Sequence, residues 1–258
     1  MIRFSVLASS SKGNCTVISD GETHFLIDAG ISATRIRKGL AECGLRAEQL
    51  AGIFITHEHG DHVAGLGQLA KKHPQPLHLY CSRYLAADMR AAAPNTVFTY
   101  LEPGAAVQLG QLRVTPFAVA HDAIDPLGYA IENGATKLGY VTDTGHITRG
   151  VPDLLAGAAA LYLESNYDPQ MLANSGRAYH LIQRIAGKWG HLSNEQACDF
   201  VRSIGHAGLQ HLVLAHISPE CNTPDKARTA MAATLAELQL PTQLHCAPMA
   251  TRLPWIEI

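Results

Sequence analysis

No CxxC pair occurs among the six cysteines, Cys15, Cys43, Cys81, Cys198, Cys221 and Cys246. Their scatter fits reduced thiols in a cytosolic enzyme better than a disulfide framework. No run approaches the roughly 20 apolar residues of a membrane span. Met1-Ile2-Arg3-Phe4-Ser5-Val6-Leu7 reads as a strand rather than the apolar core of a signal peptide. A soluble, cytoplasmic protein without a membrane partner is expected. An excess of one charge is missing too: at a formal net charge of −2, any grip on nucleic acid must come from a local basic stripe. No linker-like tract, internal repeat or low-complexity segment divides the 258 residues, so one domain over 1–258 is expected. With 16% charged and 47% hydrophobic residues, the chain can bury a substantial core and is not disorder-like.

Histidine, by contrast, is abundant, with 14 in the chain, several beside acidic or small residues rather than inside apolar periodic segments. The first third alternates strands near 2–7, 15–19, 24–28 and 52–55 with helices near 32–43 and after His62. The middle third reads as strands, with a glycine turn at Gly110 and a hairpin signal at Asn133-Gly134. Helices near 178–188, 193–206 and 223–239 follow, with strands at 209–214 and 243–245. Mixed sheets with helices outside them give an α/β fold of four layers, αββα.

Strand residues Gly52-Ile53-Phe54-Ile55 deliver the chain into Thr56-His57-Glu58-His59-Gly60-Asp61-His62. Four ligand-type side chains, His57, His59, Asp61 and His62, thus share one short loop and can furnish ligands to two ions. Imidazole with carboxylate, and no cysteine nearby, suits zinc or manganese rather than a thiolate site. A solvated polar turn is the competing reading. Downstream, Ser193 and Gln196 form a capping-box pattern that opens a helix, so His191 stands just before a helix N-terminus, where anions bind readily.

The HxHxDH pattern resembles the signature of the metallo-β-lactamase fold, an αββα sandwich with its metals at one edge of the sheets. Asp28-Ala29-Gly30, after Phe25-Leu26-Ile27, is similar to that fold's early aspartate turn, which supports the metal loop. His121, Asp143 and His216 each follow an expected strand and match the later metal positions. The resemblance implies one ion on His57, His59 and His121, a second on Asp61, His62 and His216, Asp143 bridging, and a hydroxide between the metals. Aspartate rather than cysteine at the bridge looks like the phosphodiesterase and nuclease branches; Cys221 reads as a plain thiol. Asp61 would also orient the hydroxide.

A narrower similarity covers nearly the whole chain. Leu7 to Cys15, Asp125-Pro126-Leu127-Gly128-Tyr129, Leu163-Glu164-Ser165-Asn166-Tyr167-Asp168 and Gly190-His191-Leu192-Ser193-Asn194 resemble the bacterial WalJ (YycJ) family. Its members are described as DNA exonucleases running 5′ to 3′, which implies a nuclease acting on the ends of linear duplex DNA. Ser10 and Lys12 depart from the usual glycine-serine-serine-glycine first loop. By the same resemblance His191 stabilises or protonates the leaving oxygen.

For substrate contacts the candidates are Ser10, the loop amides Asn14 and Asn166, and Arg177, Arg184 and Lys188. The three cations, spaced seven and four apart, are expected on one face of a helix running toward His191. His146 and His180 are candidates only for supporting a ligand. Large-cap RNA-processing relatives are disfavoured, since the 47 residues from 144 to 190 leave no room for an inserted domain. The runner-up is a small-molecule phosphodiesterase, such as one that opens cyclic phosphates. A thioester, lactone or lactam hydrolase ranks lower, as does an inert metal-binding module. Oligomeric state is left open.

Overall fold

The computed structural model describes residues 1–258. Strands β1 (Arg3–Ala8), β2 (Cys15–Ser19), β3 (His24–Ile27), β4 (Leu50–Phe54), β5 (Leu77–Ser82) and β6 (Thr96–Leu101) share one sheet with the C-terminal β14 (Ile256–Glu257). The second sheet holds β7 (Val107–Leu109), β8 (Leu112–Ala118), β9 (Leu127–Asn133), β10 (Thr136–Val141), β11 (Ala160–Glu164), β12 (His211–Ala215) and β13 (Gln243–Cys246). Their orders are β14-β1-β2-β3-β4-β5-β6 and β13-β12-β11-β10-β9-β8-β7. Each sheet is antiparallel at one end and parallel at the other: β3 to β6 run parallel in the first, β10 to β13 in the second.

Strand periodicity decides what each side chain meets. Along β3, Phe25 and Ile27 point between the sheets while Leu26 points outward; along β12, Val213 and Ala215 point between and Leu212 and Leu214 outward. The inter-sheet layer is aromatic. Phe54 stacks on Tyr80 at 4.4 Å between ring centroids, and Tyr140 on Tyr162 at 4.0 Å. Full burial of the Phe54 side chain alone stabilises the sandwich by about 1.5–3 kcal/mol.

Helices cover the outer faces. On the first sheet lie α1 (Ala33–Glu42), α2 (Gly60–Val63), α3 (Leu66–Lys71) and α4 (Ala86–Ala92), with Ile36, Leu40 and Leu69 packed on Leu26 and Ile53. Along the second run α5 (Val151–Leu155), α6 (Pro169–Ala173), α7 (Tyr179–Ala186), α8 (Asn194–Ile204) and α9 (Pro224–Glu237). Phe200, Val201, Met231 and Leu235 of α8 and α9 pack on Leu212 and Leu214. The result is the expected four layers. No helix is long and apolar enough to cross a membrane, and all six cysteines are free.

Local departures from expectation have simple causes. The hairpin at 133 turns through Gly134 and Ala135, because Asn133 pairs with Thr136 and the left-handed backbone (φ +60°) falls on the glycine. The metal-type motif is not wholly a loop: α2 begins inside it, placing Asp61 and His62 on a helical turn. The apolar run around Leu154 to Leu163 breaks at Gly157 (φ +74°) into α5 and β11, a division that periodicity alone does not reveal.

Candidate metal centre

The site forms where the strands end. Asp28 follows β3, His57 follows β4, His121 follows β8, Asp143 follows β10, Glu164 ends β11 and His216 follows β12. Asp28, Asp143 and His216 each adopt positive φ, +61°, +51° and +52°, a costly conformation that turns these side chains sharply off their strands.

Asp28 organises the first wall. Its Oδ1 accepts from the Thr56 backbone N–H at 2.9 Å, and its Oδ2 lies 2.7 Å from His62 Nδ1. With both residues fully buried, the carboxylate fixes the imidazole so that Nε2 faces the other donors. Gly30 makes the geometry achievable. A Cβ there would fall 1.6 Å from the Asp61 carbonyl, so only glycine lets the Asp28 turn pack against the ligand loop.

The donor atoms of His57, His59 and His121 lie within 4.8 Å of one another, and so do those of Asp61, His62 and His216. Asp143 stands between the groups: its Oδ2 is 3.3 Å from His62 Nε2, while Oδ1 is 3.4 Å from His216 Nδ1 and 3.9 Å from His121 Nε2. His57 Nε2 is buried without any hydrogen-bond partner, an orphan that a cation would satisfy. These residues fit a divalent metal ion, and the chain carries a site able to bind one. Thiolate is absent from the set, with Cys221 packed instead among Tyr167 and Leu172.

Electrostatics agree. Burial, reinforced by neighbouring imidazoles, pushes the His57 pKa well down, and burial foremost lowers that of His121; both are neutral donors. Burial opposes charge on His216 as well, but Asp143, Asp61 and Glu164 outweigh it and raise its pKa to about 10. Asp61 is likewise opposed by burial, yet hydrogen bonds from His216 and His62 hold its carboxyl well below the usual range. The carboxylates of Asp61, Asp143 and Glu164, each held below its ordinary range, therefore converge on a site that calls for positive charge, while burial pushes the Asp28 carboxyl up.

Glu164 is the residue that spacing and composition miss. It is fully buried, its Oε1 lies 2.7 Å from His191 Nδ1 and 2.9 Å from His216 Nδ1, and its Oε2 accepts from the Thr144 and Leu192 backbone N–H groups. Despite burial, His191 and His216 hold its carboxyl well below the ordinary range. The available signal is a lone charge closing an apolar strand, Ala160-Leu161-Tyr162-Leu163-Glu164. His191 itself is one-fifth exposed and faces the cavity, 3.7 Å from Asp143 Oδ1 at Nδ1. The Ser193–Gln196 capping box forms behind it at the start of α8.

The other candidates fall elsewhere. Asn14 is buried and donates from Nδ2 toward Asp61 Oδ2 at 3.3 Å and the Ser10 carbonyl at 3.0 Å; Asn166 Nδ2 donates to the His216 carbonyl at 2.8 Å. Ser10, also buried, accepts from the Lys12 backbone N–H. Asn14 and Asn166 thus brace ligand residues, and Ser10 in turn holds Asn14. The shared helical face of Arg177, Arg184 and Lys188 does not form, because α7 spans only Tyr179–Ala186 and leaves Arg177 and Lys188 outside it. Arg177 pairs with Glu220 at 2.6 Å, and Arg184, on the cavity rim, pairs with Asp122. His146 is exposed and shares a 3.0 Å hydrogen bond with the Lys188 carbonyl, while His180 is exposed on α7.

A fold of facing mixed sheets with a histidine–aspartate cluster at one rim defines the metallo-β-lactamase class. Residues 23–217 match the family described as the beta-lactamase superfamily domain, and the chain belongs to it. Within it the chain is 32% identical over 237 residues to exodeoxyribonuclease YycJ of Bacillus anthracis, covering 92% of this chain and 90% of that protein. It is 31% identical over 242 residues to exodeoxyribonuclease WalJ of Streptococcus pneumoniae, with the same coverage, which places it in the YycJ/WalJ family. The metallo-beta-lactamase fold protein YhfI of Bacillus subtilis superposes with a TM-score of 0.76 at 16% identity, over 98% of this chain and 100% of that one, a likeness of fold.

Proposed function

We propose that this chain is a two-metal phosphodiester hydrolase, a cytoplasmic exonuclease that degrades linear DNA from its 5′ ends. The observation that carries the reading is His191, held by buried Glu164 and facing Asp143 across the donor cluster. Its support in sequence is the pair of exodeoxyribonucleases to which the chain is similar along nine-tenths of its length.

His57, His59 and His121 would hold one ion and Asp61, His62 and His216 the other, with Asp143 shared between them; imidazole and carboxylate donors suit Zn2+ or Mn2+. Two such ions supply Lewis acidity and an activated water for in-line attack at phosphorus. The chain's residues do the rest. Asp61, anchored through Oδ2 by the Asn14 amide, orients the attacking water. Glu164 accepts from His191 Nδ1–H, which fixes the tautomer and turns Nε2 toward the departing oxygen, where the protonated ring donates. Leu181 and Ile185 of α7 form an apolar rim beside the histidine.

The cavity at the donor cluster is small, about 170 Å³, so a small cyclic or aryl phosphodiester fits it as well as a strand end does. Competition decides between them: linear duplex DNA should inhibit hydrolysis of bis(4-nitrophenyl) phosphate. Failure of DNA to compete, with the small diester still cleaved, favours the small-molecule reading.

A further inference from the structure

Of the cations expected to guide DNA along α7, Arg177 and Arg184 are held by carboxylates and Lys188 lies beyond the helix, whereas a second basic surface is built on α1. Arg35 and Lys38 of α1 meet Arg252 of the C-terminal segment around a depression of about 380 Å³, lined also by Leu7 and Ile31. Backbone carbonyls fix two of the three heads without neutralising them: Arg35 donates to Met249 at 2.9 Å and Arg252 to Glu42 at 2.8 Å. One carboxylate, Glu42, stands among them, 3.8 Å from Lys38 Nζ and 3.6 Å from Arg252 Nε. Three positive charges thus face one negative charge.

The first loop touches both this groove and the metal cavity. Ser11 lines the cavity; two residues on, a Cβ at Gly13 would lie 2.6 Å from Ile31 Cγ2, and Ile31 lines the groove. Asn14 closes the same loop, its backbone N–H donating to the Asp61 carbonyl at 2.8 Å. Lys12, next to Ser11 in this loop, is exposed.

We infer that the α1 groove is the binding track for the DNA backbone next to the hydrolysed linkage, with Arg35, Lys38 and Arg252 taking successive phosphates. The inference rests on the DNA reading above. It explains how a chain of net charge −2 grips a polyanion: the grip is local, and it lies on α1 rather than α7.

The test compares wild type with an Arg35→Gln/Lys38→Gln double variant, both metal-loaded, on 5′-labelled duplex DNA across a salt series and on bis(4-nitrophenyl) phosphate. The small diester is too short to reach the groove, so it reports the metal centre by itself. DNA kcat/KM of the variant should fall about tenfold relative to its small-diester kcat/KM at moderate salt, through KM. The slope of log kcat/KM against log salt should flatten by roughly 1.4–1.8, the release expected for two phosphate contacts. An Arg35→Lys/Lys38→Arg exchange should restore both. Unchanged DNA kinetics and slope would overturn the track, as would an equal loss on both substrates, which would put the damage in the metal centre. Wild-type protein that cleaves the diester but leaves DNA whole would overturn the DNA reading itself, and the track with it.

Discussion

Glu164 holds His191 through a 2.7 Å contact between Oε1 and Nδ1, and from full burial it reaches His216 with the same oxygen. One carboxylate thereby positions both the proposed acid and a proposed metal ligand. Glu164→Gln should slow phosphodiester turnover and weaken metal affinity together, the latter by about 10–100-fold. His191→Ala should instead retain metal and lose about 10²–10⁴-fold in kcat. Metal analysis and steady-state kinetics on the two variants check this; retained turnover in either would contradict the assigned roles.

Asp28 and His62 form the corresponding pair on the opposite wall, 2.7 Å apart and fully buried. Asp28→Asn keeps a side chain that tolerates φ +61° while removing the charge. Metal affinity should drop about 10–100-fold, with the fold retained. Chelator competition measures the affinity and circular dichroism the fold.

Glycine supplies a steric control. Gly30→Ala puts a methyl group onto the Asp61 carbonyl, whereas Gly60→Ala meets nothing within 4 Å. The first should cost about 1–3 kcal/mol or more and disturb metal loading; the second should be near neutral. Urea unfolding of the two variants side by side reads the difference.

Histidine also sets an acid limit away from the metals. Burial foremost, with Arg3 nearby, holds the pKa of His24 below 6.5, its Nδ1 lying 2.8 Å from Ser19 Oγ. A depressed folded pKa gives stability that is present above 6.5 and is lost as pH falls through the folded value. In chelator-treated protein, the stability lost between about pH 7.5 and about pH 5.5 should be smaller for His24→Asn than for wild type. Equal losses in urea titrations would contradict it.

Much of the fold and the rim is legible in the order of the residues. Short, largely continuous apolar runs mark many of the strands, and the tight grouping of His57, His59, Asp61 and His62 after Gly52-Ile53-Phe54-Ile55 marks the rim. What stays hidden depends on distant chain segments meeting. Glu164 reads as a charge at a strand end until burial brings it to two histidines. Arg184 reads as a free cation until Asp122 arrives from 62 residues away. Asn14 and Asn166 read as loop amides that either take a phosphate or brace a ligand, until they are seen bracing Asp61 and His216. Periodicity reports which face is apolar, not which polar partner waits there.

The most direct measurement is a time course on linear duplex DNA labelled at its 5′ or its 3′ ends, using protein reconstituted with zinc or manganese and assayed for metal content. The expected result is about two ions per chain, early release of the 5′ label with the 3′ label retained, and loss of both metal and activity in Asp143→Ala. DNA left whole by fully metal-loaded protein, or release of 3′ label alone, would contradict the account.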